Sequence, residues 1–241
     1  MNMALDEALL ESAADAASRD ANRADEATLR IYGWARPTLS LGYFQAAAER
    51  ESHAASLDCD LIRRPSGGGA ILHDRELTYA LALPESLATT RPATQWYLDV
   101  HNALINAIRE LTSAEALLCE NPPKLPARDE PFLCFQRRAA GDVLLDGHKV
   151  AGSAQRRRRG AILQHGSVLL ERSPHAPELP GIADLTEGNV GYESLTLAFT
   201  REVAKTMNLS LHEAVTSSEE NEMAAELEST KYAGTAWTHR R

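Results

Sequence analysis

The chain has 241 residues, 44% of them hydrophobic and 24% charged, and a net charge of −9. Those proportions describe a globular protein large enough for a substantial core, and the acidic balance disfavours nucleic acid, whose phosphates need a basic face. No apolar run nears the roughly 18–20 residues of a membrane helix, and the opening residues carry Asp6 and Glu7 instead of a basic start, so the chain reads as cytoplasmic, with no secretion signal and no membrane partner.

In chain order, residues 2–17 read as an amphipathic helix, with Leu5, Leu9 and Leu10 near one face and Asp6, Glu7 and Glu11 away from it. Residues 28–34 and 38–44 have strand character, broken at Pro37, and a short Ala/Glu-rich helix is expected at 46–56. A strand near 59–64, a glycine loop at 66–69 and a strand pair at 70–73 and 77–83 come next. Residues 94–110 predict a helix, with Thr94 as its cap and Val100, Leu104 and Ile108 on its apolar face.

The stretch 121–131 holds four prolines and predicts an irregular loop. Residues 141–154 predict a hairpin turning at Asp146-Gly147, a strand fits 161–170, and the chain from about 191 reads as mainly helical. Strands and helices do not alternate as in a doubly wound fold. The expectation is therefore an α+β fold over 1–241 as a single domain, with a mixed, largely antiparallel β-sheet flanked by helices.

Three cysteines, Cys59, Cys119 and Cys134, give an odd number without paired spacing, which argues for reduced thiols. No CxxC occurs, and no two histidines stand at helical ligand spacing beside a third donor, so no metal site is expected. Of 25 basic residues 21 are Arg and only four are Lys: Lys124, Lys149, Lys205 and Lys231. Arg stays protonated in a protein, whereas Lys is a compact, tunable ammonium, so each lysine invites a question. The run Arg156-Arg157-Arg158-Arg159 fits a solvated edge or a docking patch for an acidic protein.

Three segments carry chemistry. Arg63-Arg64-Pro65-Ser66-Gly67-Gly68-Gly69 runs into Ala70-Ile71-Leu72-His73-Asp74. Its glycines let backbone approach a ligand closely and aim N–H groups at an acceptor, although a tight turn explains a glycine triplet as well. The Gly-Lys-Ser/Thr ending of a phosphate loop is missing, as is the strand–turn–helix setting of a dinucleotide site. Asp146-Gly147-His148-Lys149 continues into Val150-Ala151-Gly152-Ser153-Ala154-Gln155, either an exposed lysine on a hairpin or one positive charge beside accessible backbone. Leu163-Gln164-His165-Gly166-Ser167 places small and polar residues inside an apolar strand, a mark of close approach by backbone or ligand. His73 and His165 fit either proton transfer or structural hydrogen bonding.

In order and spacing these segments resemble the lipoate–protein ligase and octanoyltransferase family, relatives of the biotin–protein ligases. Asn2-Met3-Ala4-Leu5-Asp6-Glu7 is similar to the family's first helix, and Lys231-Tyr232 with Trp237 to its ending, so the resemblance spans nearly the whole chain. In one respect the chain departs: the family pattern has a β-strand and a tryptophan ahead of that helix. Either the start is trimmed or an edge strand has been dispensed with. The resemblance implies the biotin/lipoate-protein ligase catalytic-domain fold.

Phe132-Leu133-Cys134-Phe135, with Cys134 fifteen residues before Lys149, is similar to the cysteine-dependent branch that takes octanoyl groups from acyl carrier protein. ATP-using ligases of the family carry an Asn-Asp pair where Gly141-Asp142 stands here. The resemblance thus implies Cys134 as nucleophile and Lys149 as the cation that favours its thiolate. It implies Arg64, Ser66, Gly67, Gly68, Gly69, His73, Gly152, Ser153, Ala154, His165 and Gly166 as substrate-binding. The implied partners are acyl carrier protein and lipoyl-domain proteins, such as the glycine-cleavage H protein or the E2 component of 2-oxoacid dehydrogenases. No cofactor is implied, and ATP and Mg enter only if the chain is instead a lipoate ligase working through lipoyl-AMP. A third reading moves octanoyl between two lipoyl domains.

The chemistry of the pair is consistent with that branch. A free thiol with a pKa of about 8.5 is only a few per cent ionised at neutral pH, and a nearby ammonium raises the thiolate fraction. The commoner role of a free cysteine, a small buried hydrophobe, is the reading for Cys59 and Cys119.

Overall fold

A computed structural model describes residues 1–19, 26–123, 126, 129–188 and 190–241. The chain opens on α1 (Asn2–Arg19), followed by β1 (Thr28–Tyr32) and β2 (Thr38–Leu41). Two 3-10 turns (Ala47–Ser52 and Ala54–Ser56) stand where one α-helix was expected at 46–56. Then come β3 (Asp60–Arg63), β4 (Ile71–His73), β5 (Glu76–Leu83), α2 (Glu85–Ala88), α3 (Ala93–Thr112) and β6 (Leu117–Leu118). A 3-10 turn at Cys134–Gln136 precedes β7 (Val143–Leu145), β8 (His148–Arg158) and β9 (Ala161–Leu169). The chain closes through α4 (Ile182–Leu185), α5 (Tyr192–Met207), α6 (Ser218–Leu227), a π-helical turn (Glu228–Tyr232) and α7 (Thr235–Thr238).

Six strands form one antiparallel sheet in the order β1-β5-β9-β8-β7-β6. A smaller sheet, β3-β2-β4, pairs β2 with β3 in parallel and with β4 antiparallel. Together they make the α+β fold that the sequence predicted, with the parallel pairing confined to the small sheet.

Apolar spacing decides which face each helix covers. On α3, Trp96, Val100, Ala103, Leu104, Ala107 and Ile108 recur at three- and four-residue intervals and are buried against α5 and one sheet face. Each such large side chain taken out of water contributes about 1.5–3 kcal/mol. The opposite face takes Leu9 and Leu10 of α1 against Ala80, Ala82, Ala161 and Leu163. A third apolar cluster joins the small sheet to the cysteine segment through Leu39, Leu41, Leu72, Leu133 and Phe135.

Boundaries shift where local chemistry differs from periodicity. The segment expected to continue β2 to 44 leaves the sheet after Leu41, and Tyr43 N–H donates instead to the Ser66 carbonyl at 2.8 Å. Thr94 does not cap α3; Pro92 precedes the first helical residue and makes no side-chain cap. Of the proline-rich loop at 121–131, residues 124, 125, 127 and 128 lie outside the described residues, Lys124 among them. Among the described residues no helix is long and apolar enough to cross a membrane.

Candidate active site

Lys149 owes its position to the β7–β8 hairpin. The turn falls at Asp146 and Gly147, both at positive φ, and the ladder then pairs Leu145 with His148, Leu144 with Lys149 and Val143 with Ala151. Val150 is therefore an extra residue, a bulge, and both Val150 and Ala151 bury into the helix-covered core. Strict alternation would put Lys149 and Gly152 on opposite faces; the bulge puts them on the same one. A Cβ at Gly152 would stand 2.6 Å from Lys149 Cε and 2.9 Å from Nζ. The lysine chain lies across the space that glycine leaves.

The ammonium has a carboxylate on one side and a thiol on the other. Nζ is 2.8 Å from Asp142 Oδ2 and 4.0 Å from Cys134 Sγ, with the Phe135 ring centroid at 5.4 Å. Lys149 and Asp142 side chains are only 5% and 2% exposed, so the pair is desolvated and each charge depends on the other. Asp142 Oδ2 also accepts from Ala139 N–H at 2.6 Å. The turn before it is tied to β6's end by Gly141 N–H to Cys119 O and Cys119 N–H to Asp142 O, both 2.8 Å.

His101, which the sequence reading did not single out, braces this turn from α3. Its Nδ1 lies 2.5 Å from the Gly141 carbonyl and its Nε2 2.7 Å from Ser153 Oγ. A carbonyl only accepts, so Nδ1 carries the proton. Burial holds the imidazole at a pKa of about 4, against the upward pull of the Gly141 carbonyl and Asp142, so it is neutral at pH 7 and Nε2 accepts from the serine hydroxyl. Gly141 has φ +87, and a Cβ there would stand 2.8 Å from the Tyr97 ring, which reserves the position for glycine. The available signal was a histidine among the apolar positions of an amphipathic helix.

The cysteine segment is stitched to the glycine loop. Cys134 N–H donates to Ala70 O at 2.7 Å, and Ala70 N–H to Phe132 O at 3.0 Å. Under the loop lies buried Arg64, donating to Ser40 O at 2.8 Å, Gly67 O at 2.6 Å and Gly69 O at 2.7 Å. Desolvation brings its pKa down to about 10, opposed by Cys134 nearby, so the guanidinium stays charged. It draws two loop carbonyls inward. Among the described residues the amides of Gly67, Gly68 and Gly69 have no acceptor, and a Cβ at Gly68 would stand 3.6 Å from Cys134 Sγ.

The structure thus brings Cys134, Lys149, Gly68, Gly152 and Arg64 together. Ser66 joins them through the loop, its Oγ 2.7 Å from buried His165 Nε2. His165 is held at a pKa of about 3 by burial first, then by Arg64, His73 and Arg156. Ala154 pairs with His165 across the β8–β9 ladder. The Ser153 side chain points to the helix face, toward His101. Gly166, its ladder partner, makes room for the Tyr79 ring, which would be 2.6 Å from a Cβ there.

His73 lies in a separate buried cluster, stacked on Trp34 at 4.3 Å with Nδ1 3.4 Å from Glu76. Arg63, quoted within the loop motif but given no role, is fully buried and ties the loop to α7 through Gly42 O, Gln45 O and Thr238 O. Most of the arginine run meets acids of α1: Arg156 with Glu7, Arg158 with Glu11, and Arg159 with Glu11 and Asp15.

The chain as a whole is similar to known proteins. Residues 1–177 match the model of the lipoyl protein ligase A/B catalytic domain. The chain is 32% identical to octanoyltransferase LipM of Kyrpidia tusciae, with 89% of this chain and 87% of that protein covered. It is 31% identical to octanoyltransferase LipM of Geobacillus kaustophilus, over 100% of this chain and 94% of that one. A solved bi-partite lipoate protein ligase from Thermoplasma acidophilum, described with its E2 lipoyl domain, superposes with a TM-score of 0.74 at 22% identity. It covers 99% of this chain and 90% of that one.

Proposed function

The chain belongs to the lipoyl protein ligase A/B catalytic domain family, and from that premise we propose that this acyltransferase is a protein octanoyltransferase working through an acyl-enzyme on Cys134. The relatives named octanoyltransferase LipM, matched over nearly their whole length, support octanoyl transfer in protein lipoylation. One observation carries the cysteine mechanism: Cys134 Sγ, partly exposed, lies 4.0 Å from the Lys149 ammonium and 3.6 Å from the Cβ position of Gly68, in the glycine loop.

The donor is octanoyl–acyl carrier protein. The Cys134 thiolate attacks the thioester carbonyl, forming a C–S bond and a tetrahedral oxyanion. Loop amides of Gly67–Gly69 stabilise that oxyanion, a contribution of about 3–4 kcal/mol per donor in comparable sites. The carrier thiolate leaves and takes a proton. Exchange of one thioester for another is nearly isoenergetic. The ε-amine of a lipoyl-domain lysine then attacks the acyl-enzyme, loses a proton and leaves as the amide, returning the Cys134 thiolate. Lys149 stabilises the thiolate whenever it is uncovered, and Asp142 keeps the ammonium in place. No ATP, magnesium or other cofactor enters this sequence.

Incubation with octanoyl–acyl carrier protein without ATP, read by intact mass, tests the proposal. The expected product is one octanoyl adduct, released by hydroxylamine and absent in Cys134→Ser. An adduct that persists in Cys134→Ser overturns the cysteine mechanism, and pyrophosphate release dependent on free lipoate favours the ligase. Octanoyl–H protein supplied as donor distinguishes transfer between lipoyl domains.

A further inference from the structure

We propose that the rim formed by Tyr43, Phe44, Arg240 and Arg241 docks the acceptor protein domain, through carboxylates that flank its target lysine. The proposal rests on the acyl-enzyme reading above and adds a place for its second substrate. Phe44 is 68% exposed, a large apolar ring left in water. Its ring carbons lie 3.8 Å from the Cβ position of Gly67, and the next residue's Cβ position lies 3.6 Å from Cys134 Sγ. The ring therefore packs on the same glycine loop that approaches the sulfur.

One guanidinium group lies against that ring and a second against its neighbour Tyr43. Arg241 lies 5.3 Å from the Phe44 centroid, and Arg240 lies 4.2 Å from Tyr43 and 4.9 Å from Trp237. Among the described residues neither guanidinium pairs with an Asp or Glu side chain. Both press electrostatically on buried Arg63, opposed there by the single carboxylate of Glu49. In a chain of net charge −9 this is a local positive rim, and such rims steer complementary partners. The arginine run at 156–159 is the weaker candidate, because three of its four members already meet acids of α1.

Reach decides between acceptor and donor. A lysine side chain extends roughly 6 Å from its Cα, so the acceptor backbone must come close to the glycine loop beside Cys134. A thioester on a long flexible arm can be delivered by a protein docked further away. The rim is also held in place: Tyr43 N–H donates to Ser66 O at 2.8 Å, Ala47 N–H to Arg241 O at 3.0 Å and Trp237 Nε1 to Arg63 O at 2.9 Å.

The test compares wild type with Arg240→Glu/Arg241→Glu and with Phe44→Ala. Preformed octanoyl-enzyme is offered an unmodified lipoyl domain, and in parallel Cys134 is acylated by a small octanoyl thioester. The expected result is an acceptor KM raised about tenfold or more, with little change in kcat, and small-thioester acylation unchanged within about twofold. Partial recovery is expected when an acidic residue beside the acceptor lysine is changed to lysine. An unchanged acceptor KM overturns the proposal, as does a parallel fall in small-thioester acylation or a rise confined to the carrier-bound donor's KM. If wild type acquires no octanoyl group, the cysteine reading fails separately; direct titration with the lipoyl domain then decides docking, and equal affinity for wild type and double variant overturns it.

Discussion

Lys149 is held by three neighbours that each remove a freedom. Asp142 fixes the ammonium at 2.8 Å, Gly152 leaves room for the methylenes, and the Val150 bulge keeps lysine and glycine on one face. Gly152→Ala is therefore a sharp test that touches neither the cysteine nor the charge. The new methyl would occupy space 2.6 Å from Lys149 Cε, inside any permissible contact. The ammonium must move, and displacement of about 1 Å in a positioned group costs about 100-fold in rate. Overpacking adds about 1–3 kcal/mol of destabilisation. Single-turnover acylation of Cys134 is expected to slow by about two orders of magnitude, with a smaller loss in denaturant midpoint. A variant that acylates at the wild-type rate would show that the lysine's position is not critical.

Among the elements, α1 ties the start of the chain to its end and to the sheet. Glu7 lies on its inner side and accepts from Lys231 at 2.6 Å and Tyr232 at 2.5 Å, with Arg156 at 3.6 Å. Burial pushes its carboxyl up, but Lys231, Tyr232 and Arg156 outweigh that and hold it below the usual range. One side chain thus joins the first helix, β8 and the π-helical turn. Glu7→Gln leaves Lys231 without its carboxylate, and a loss of about 1–3 kcal/mol is expected, measurable as a lower urea midpoint at pH 7. Because a lowered carboxyl contributes stability only above its folded pKa, the difference between Glu7→Gln and wild type should shrink below about pH 4.

These ties also explain what could be read in advance. The α1 and α3 stripes and the Asp146-Gly147 turn were legible because period and turn chemistry are local. The adjacency of Cys134 to Lys149 was legible only through resemblance, since the cysteine loop is placed by Ala70, a residue 64 positions upstream. His101 was missed because its partners, Gly141 and Ser153, lie on other elements. The 46–56 segment misled because Ala and Glu favour helix, while the backbone there closes 3-10 turns such as Ser56 N–H to His53 O. Asp6 and Glu7, both buried, also depart from an amphipathic reading that set the acids of α1 away from the core, because Asp6 accepts from Arg30 and Tyr32 and Glu7 from Lys231 and Tyr232.

For the molecule as a whole, two buried neutral histidines set an acid limit. His101 is held at a pKa of about 4 and His165 at about 3, both chiefly by burial, whereas an unfolded histidine titrates near 6.5. Between 6.5 and those values the unfolded chain binds protons that the folded chain refuses, so stability is fully present above about pH 6.5 and falls as pH drops. Each histidine contributes about 1.4 kcal/mol per pH unit within that window, or about 2 kcal/mol by pH 5. Asp6, raised by burial against the pull of Arg30 and Tyr32, works in the opposite sense, so the wild-type curve alone does not isolate them. His101→Gln does. The amide can donate to Gly141 O and accept from Ser153 without titrating, and the difference between variant and wild type cancels every shared group. From pH 7 to pH 5 the variant is expected to lose about 2 kcal/mol less than wild type in urea unfolding. Parallel curves would mean that His101 takes up its proton in the folded state, and the neutral brace behind Asp142 and Lys149 would have to be abandoned.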